Sequence, residues 1–196
     1  MIDQVSAVIL AGGKSSRFGR NKALADYQGT PLIQRIADRL TPLFADQLLI
    51  TNTPAEYEFL NWPMTGDLHR DCGPLAGIQA ALLSINQPRA FVCGCDMPLL
   101  NPALIRHLCA IEGEWDIILP WLPDGPEPLY AVYAQTALPV ITELLQQGKR
   151  KIGLLFELLK VRRVTEQEIL AIVPDLSCFH NINRQHDLHA ISGGND

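Results

Sequence analysis

From Leu10 to Lys22 the chain reads Leu-Ala-Gly-Gly-Lys-Ser-Ser-Arg-Phe-Gly-Arg-Asn-Lys, which packs Gly12, Gly13 and Gly19 among Lys14, Arg17, Arg20 and Lys22. Glycines let successive backbone N–H groups turn toward one concavity, and such a concavity holds anions. Arg17 and Lys22 can bring full charges to phosphate oxygens, so a nucleoside triphosphate is the expected ligand. Two commoner glycine motifs fail on spacing. Val8 stands where a P-loop ending in Gly13, Lys14 and Ser15 requires its first glycine, and the three glycines lack the spacing of a dinucleotide fingerprint. The plainer alternative, a surface turn with solvated cations, is weakened because the loop directly follows a strand-like run. A second group, Cys95, Asp96, Met97 and Pro98, follows the apolar run from Ala90 to Gly94. Magnesium takes one or two carboxylates together with substrate phosphates and water, so Asp96 facing a triphosphate is a sufficient anchor for Mg2+. A turn-capping role before Pro98 is the bland reading of the same residue.

Strands and helices alternate around these groups. Val5 to Leu10 is a β-branched and aliphatic run that stops at a glycine pair, as a buried parallel strand does on entering a loop. Thr30 as N-cap and Pro31 at the first helical position predict a helix with Leu32, Ile33, Ile36, Ala37 and Leu40 on one face, followed by a strand over Leu48 to Ile50. Gly73 and Pro74 open a helix with Leu75, Ile78, Leu82 and Ile85 on one face, Ala90 to Cys93 is a buried strand, and Asn101 and Pro102 start another helix. Ile117 to Leu119, Leu129 to Tyr133 and Val161 to Val164 read as strands, and a helix from about Ala137 to Gln147 stops at Gly148. Parallel neighbours need crossover connections, which are usually helices. The pattern therefore predicts a single-domain, three-layer, Rossmann-like α/β fold, with a mostly parallel sheet, helices on both faces and ligands at the strands' C-terminal ends. The domain is expected to span residues 1–191, with 192–196 a disordered tail.

A net charge of −5 excludes a protein that coats nucleic acid, because phosphate contacts along a polyanion need clustered Lys and Arg. Phosphate recognition is expected to be local. No run approaches the roughly 20 apolar residues that cross a bilayer, and no basic leader opens the chain. Neither nucleic acid nor membrane is an expected partner, and the location is expected to be cytoplasmic. The cysteines 72, 93, 95, 109 and 178 are odd in number without paired spacing, so Cys93 and Cys95 read as small buried hydrophobes rather than metal ligands. His69, His107, His180, His186 and His189 lack ligand spacing, and Trp62, Trp115 and Trp121 read as packing residues. Lys149, Arg150 and Lys151 suit the dipole of the helix that ends just before them, with a grip on a second substrate's phosphate as the alternative.

Taken in order, the Leu10 to Lys22 loop, Gly73 to Gly77, Cys95 to Pro98, Pro128 to Tyr133 and Asn181 to Asn183 resemble the molybdenum cofactor guanylyltransferase family, of the MobA type, over almost the whole chain. The resemblance implies a domain related to the nucleotide-diphospho-sugar transferases that moves GMP from GTP to molybdopterin carrying molybdenum and releases pyrophosphate. It implies a GTP site lined by Leu10, Ala11, Gly12, Gly13 and Lys22, with Asp67 at the acidic position of that site and Asp96 as magnesium ligand. An asparagine after the second strand belongs to the same site. Thr51 and Asn52 both fit its register, and Asn52 is preferred. Asn181 and Asn183 fit the pterin-side motif, and molybdoenzyme apoproteins or cofactor-delivery proteins would be further partners. Many members carry Asp immediately before the signature Lys, where this chain has Asn21.

The implied chemistry needs no enzymic base, because a terminal phosphate is already ionised near neutral pH. Arg17, Lys22 and Asp96 are the expected catalytic residues, with Arg17 and Lys22 offsetting charge on the departing pyrophosphate and Asp96 holding the magnesium. Asp67 could accept hydrogen bonds from guanine N1–H and the exocyclic amine, and a methyl at Gly12 would crowd a purine, which favours GTP. Two alternatives remain: a CTP-dependent enzyme acting on molybdopterin or on a sugar or polyol phosphate, and a carrier of molybdenum cofactor without catalysis.

Overall fold

Strand β1 (Val5–Leu10) is buried along its whole length, and its side chains alternate between two apolar cores. Val5, Ala7 and Ile9 face one core while Val8 and Leu10 face the other, so this strand lies between two layers. A computed structural model describes residues 1–12, 21–69 and 72–182.

After β1 the chain reaches a short hairpin, β2 (Asp26–Tyr27) and β3 (Thr30–Pro31), before helix α1 (Leu32–Leu40). Thr30 is thus not the helix cap expected from the sequence. Gln28 and Gly29 have φ of 54° and 79°, the two positive angles of a tight hairpin turn, and pairing with Tyr27 holds Thr30 extended. Pro31 is the residue at the N-cap, and the five expected apolar positions of α1 are all buried.

β4 (Gln47–Ile50), β5 (Met64–Thr65), α2 (Pro74–Ser84) and β6 (Arg89–Gly94) follow. α3 (Pro102–Ala110) starts where Asn101 accepts from the N–H groups of Ala103 and Leu104. β7 (Ile117–Leu122), β8 (Gly125–Pro126), β9 (Tyr130–Ala134) and α4 (Leu138–Gln146) come next, then α5 (Leu155–Leu158), β10 (Val161–Thr165) and α6 (Glu166–Leu170). Gly148, at φ 73°, ends α4 with its N–H on Leu145 and the next N–H on Leu144.

The sheet order is β10-β7-β9-β6-β1-β4-β5, with β8 pairing β7. β1, β4, β5 and β6 run parallel, as do β7 and β10, and β9 lies antiparallel between β6 and β7. The mostly parallel sheet is therefore present, with one reversed central strand. α1, α3 and α6 bury Ile33, Ile36, Leu104, Leu108 and Ile169 in one core, and α2, α4 and α5 bury Leu75, Ile78, Ile141 and Leu155 in the other. The tail from 192 to 196 lies outside the described residues.

Candidate active site

β1 and β6 are neighbours in register, with Leu10 opposite Gly94, so the loops that leave them start side by side. Cys95 N–H donates to Leu10 O at 3.3 Å and Ala11 N–H donates to Ile50 O at 2.9 Å, which ties three strand ends into one edge. Lys22 opens a single 3-10 turn over Lys22–Leu24, and Asn21 caps it by accepting Ala23 N–H at 3.2 Å. The Lys22 ammonium lies 3.0 Å from Asp96 Oδ2, with 14% and 28% of the two side chains exposed. A Cβ on Gly94 would sit 2.5 Å from Asp96 Oδ1, so this glycine makes room for the carboxylate. Ile182 N–H donates to Asp96 O at 2.9 Å, which brings Asn181 to the same edge. Residues far apart in sequence thus meet as one polar cluster.

A second carboxylate joins them that sequence reasoning did not single out. Burial, and after it the Asp96 charge, holds the Glu127 carboxyl above the usual carboxylate range. Its signal was an acid just before the Pro128 to Tyr133 segment, which alone looks like part of a turn. The backbone anchors this residue on both sides, with Glu127 N–H on Pro120 O and Tyr130 N–H on Glu127 O.

On the other side of β1, at the ends of β4 and β5, lies a second group of polar residues. Asn52 donates to Asp67 Oδ2 at 3.2 Å and accepts Asp67 N–H at 3.1 Å, a reciprocal pair that fixes the carboxyl. Thr51 is buried, and its hydroxyl accepts Thr53 N–H at 3.2 Å, so of the two candidates it is Asn52 that reaches Asp67. Asp67 Oδ1 is buried without a hydrogen-bond partner among the described residues. Burial raises its carboxyl above the usual range, partly offset by the Asn52 bond. Gly12 and Gly77 border this carboxyl, since a Cβ on either would lie 3.6 Å from one of its oxygens. A cavity of about 290 Å³, lined by Thr51, Asn52, Pro54, Met64, Thr65 and Gly66, opens alongside. Asp67 is not part of that lining, but its partner Asn52 is, and a buried acceptor without a protein partner among the described residues could take a ligand's N–H donor.

The sequence profile of the MobA-like NTP transferase domain matches residues 7–162. The chain belongs to this family. It is 38% identical over 189 residues to the molybdenum cofactor guanylyltransferase of Desulfosudis oleivorans, covering 95% of this chain and 94% of that one. It is 32% identical over 194 residues to the probable molybdenum cofactor guanylyltransferase of Peptoclostridium acidaminophilum, covering 95% and 88%. Its fold matches that of molybdopterin-guanine dinucleotide biosynthesis protein A from Archaeoglobus fulgidus with a TM-score of 0.83 at 29% identity, covering 94% and 95%.

Of the expected site residues of this MobA-like domain, Leu10, Ala11, Gly12, Lys22, Asn52, Asp67, Asp96 and Asn181 lie along the C-terminal edge of the sheet. Gly13, Arg17 and Asn183 lie outside the described residues. Cys93 and Cys109 are buried, and all five cysteines are free thiols. Trp62 is buried and donates to Thr41, while Trp121 stacks under Arg163 at 4.0 Å and meets the edge of Phe156. Among the described residues no helix is long and apolar enough to cross a membrane.

Proposed function

We propose that this MobA-like domain transfers GMP from GTP to the terminal phosphate of molybdenum-bearing molybdopterin. The observation that carries this reading is the Lys22–Asp96 pair, 3.0 Å apart at the C-terminal edge of the sheet, an edge that also holds, across β1, an Asp67 carboxyl oxygen buried without a partner among the described residues. The relatives, named as molybdenum cofactor guanylyltransferases, point to the same pair of substrates. The Asn52–Asp67 side suits guanine, because Asp67 Oδ1 is an acceptor awaiting donors and guanine offers N1–H beside an amine. The polar cluster suits the triphosphate, with Lys22 near the phosphates and Arg17 and Gly13 expected to complete the loop around them. Asn181 and Asn183 would face the pterin, whose edge offers donors and acceptors together.

An oxygen of the molybdopterin phosphate attacks the α-phosphorus of GTP, a new P–O bond forms, and the bond to the β-phosphate oxygen breaks to release pyrophosphate. No proton need leave the nucleophile, so the protein's work is to orient two anions and offset their charge. Lys22 holds charge at the leaving phosphates. Asp96 already accepts one cation, the Lys22 ammonium, and a partly exposed carboxylate of this kind fits Mg2+ shared with substrate phosphates and water. Magnesium, when bound, supplies neutralisation of phosphate charge, and Asp96 is the residue that would hold it.

The test is pyrophosphate release with purified molybdenum cofactor and each of the four nucleoside triphosphates, with and without magnesium. Release with GTP alone, dependent on both cofactor and metal, is expected. Equal release with CTP would overturn the guanylyl assignment, and cofactor binding without any release would leave a carrier.

A further inference from the structure

The residue that precedes Lys22 is tied by its side chain to a distant loop. The Asn21 amide nitrogen donates to Glu56 Oε2 and to the Tyr57 hydroxyl at 2.8 Å, while its oxygen accepts Ala23 N–H at 3.2 Å. Glu56 Oε2 also accepts the Thr53 hydroxyl at 3.1 Å. Tyr57 is buried, and desolvation pushes its hydroxyl up to about 12, so it is a neutral phenol at neutral pH. One amide therefore joins the turn that carries Lys22 to the loop that carries Asn52 and Thr53.

The chemistry of this junction is selective. An aspartate has nearly the same shape, would cap Ala23 equally well, and could accept a hydrogen bond from the Tyr57 hydroxyl. It could not donate to Glu56, and it would set two carboxylates against each other one residue from the ammonium that pairs with Asp96. Glu56 is exposed, so that repulsion is screened by salt, which gives it a measurable signature.

We propose that Asn21 and Glu56 form a charge-matched clamp that holds Lys22 in position for the triphosphate, with Asn21 a positioning residue rather than a catalytic one. The link to triphosphate binding rests on the function proposed above. The placement of Lys22 can be read without it.

The experiment compares the wild type with Asn21→Asp, Glu56→Gln and the double variant in two readouts. The first is the rate at which an N-hydroxysuccinimide ester acylates Lys22, followed by peptide mass spectrometry, with melting curves to show that each variant is folded. The second is the affinity for GTP with magnesium, measured by calorimetry at about 0.01 M and about 1 M salt, where the Debye length falls from about 30 to about 3 Å. Asn21→Asp should label faster and bind GTP about tenfold more weakly at low salt, the scale of a lost hydrogen bond to a charged group, and the defect should shrink at high salt. The double variant should recover both readouts, because its introduced amide at position 56 can donate to its introduced carboxylate at position 21 and the bond is remade in reverse. A cap or a shape-filler predicts that Asn21→Asp behaves as wild type, and that result would overturn the clamp. Failure of Glu56→Gln to rescue would overturn it too, even if Asn21→Asp is partly unfolded. If the wild type bound no GTP but the labelling pattern still followed the swap, the triphosphate reading would fall and the clamp would stand.

Discussion

At the scale of single residues, two carboxylates in one site are held for opposite purposes. Asp96 is paired with the Lys22 ammonium, whereas Asp67 is half-buried with one buried oxygen unpartnered among the described residues. Asp96→Asn should remove magnesium-dependent turnover while the melting temperature stays close to that of the wild type, since it deletes a charge at the mouth of the site rather than a core contact. A loss of about two orders of magnitude or more is the scale of one preorganised charge at a transition state. Near-normal turnover with normal magnesium dependence would refute the assignment. Asp67 follows a different thermodynamics. Burial raises its folded-state pKa above the unfolded value, so the folded chain binds that proton more tightly and the charged form is the strained one. The cost is therefore felt above the raised pKa and disappears as pH falls through it. Asp67→Asn should melt at the same temperature as wild type or slightly higher at pH 7, and that advantage should shrink on acidification, while selection for GTP over other nucleotides is lost. Melting curves across pH set beside nucleotide competition would check both halves, and a variant less stable at pH 7 than at pH 4, relative to wild type, would contradict the burial argument.

At the scale of elements, local signals were legible and pairings were not. The unbroken apolar run of β1, the prolines that open α2 and α3, and Gly148 after α4 each mark their element within a few residues. Thr30 misled because a proline follows it, and the competing signal was the Gln28 and Gly29 turn, which draws Thr30 into β3. The reversal of β9 was invisible, since a strand buried on both faces reads as the same apolar run in either direction. β5 and β8, of two residues each, are too short to show a period. Lys22 and Asp96 were legible because each follows a local pattern, whereas Glu127 beside Asp96 and Glu56 on Asn21 depend on chain distance that no spacing rule reports. α2 gives the prediction at this scale. A Cβ on Gly77 would come 3.2 Å from Leu10 Cδ1 and 3.6 Å from Asp67 Oδ1. Alanine gains about 1 kcal/mol over glycine in a helix interior, which roughly offsets the crowding, so Gly77→Ala should fold with little net change in stability. Leu10 is at the rim of its core, at the end of β1 beside the proposed nucleotide site, so a shift of its side chain would be felt there. The KM for GTP should then rise several-fold with kcat less affected, and unchanged kinetics would show that Leu10 does not border the nucleotide.

At the scale of the whole molecule, the site depends on the chain's last described segment crossing back over its first loops. Phe179 packs edge-on to Tyr130 at 5.1 Å, Cys178 enters the core, and Ile182 is buried in a small cluster with Ala25, Tyr27 and Leu32. That cluster sits behind the Lys22 turn, and the Ile182 N–H donates to Asp96 O, so one residue braces both charged groups of the polar cluster from behind. Ile182 itself belongs to neither of the two large apolar cores, which draw mainly on the sheet and its helices. Ile182→Ala should therefore cost near the low end of the range for truncating a buried isoleucine, about 2 kcal/mol, or a fall of about 4 to 8 °C in melting temperature for a domain of this size. The functional effect should be uneven. Asn181 and the Asp96 loop lose their brace together, whereas the Asn52–Asp67 pair on the far side of β1 keeps both of its hydrogen bonds. Affinity for the molybdenum cofactor and the rate of transfer should then fall by a larger factor than affinity for GTP. Separate titrations of the two substrates against the folded variant decide the matter: parallel losses would mean that the segment supports the fold at large, and a selective loss of cofactor binding would place the pterin side of the site on this returning strand of chain.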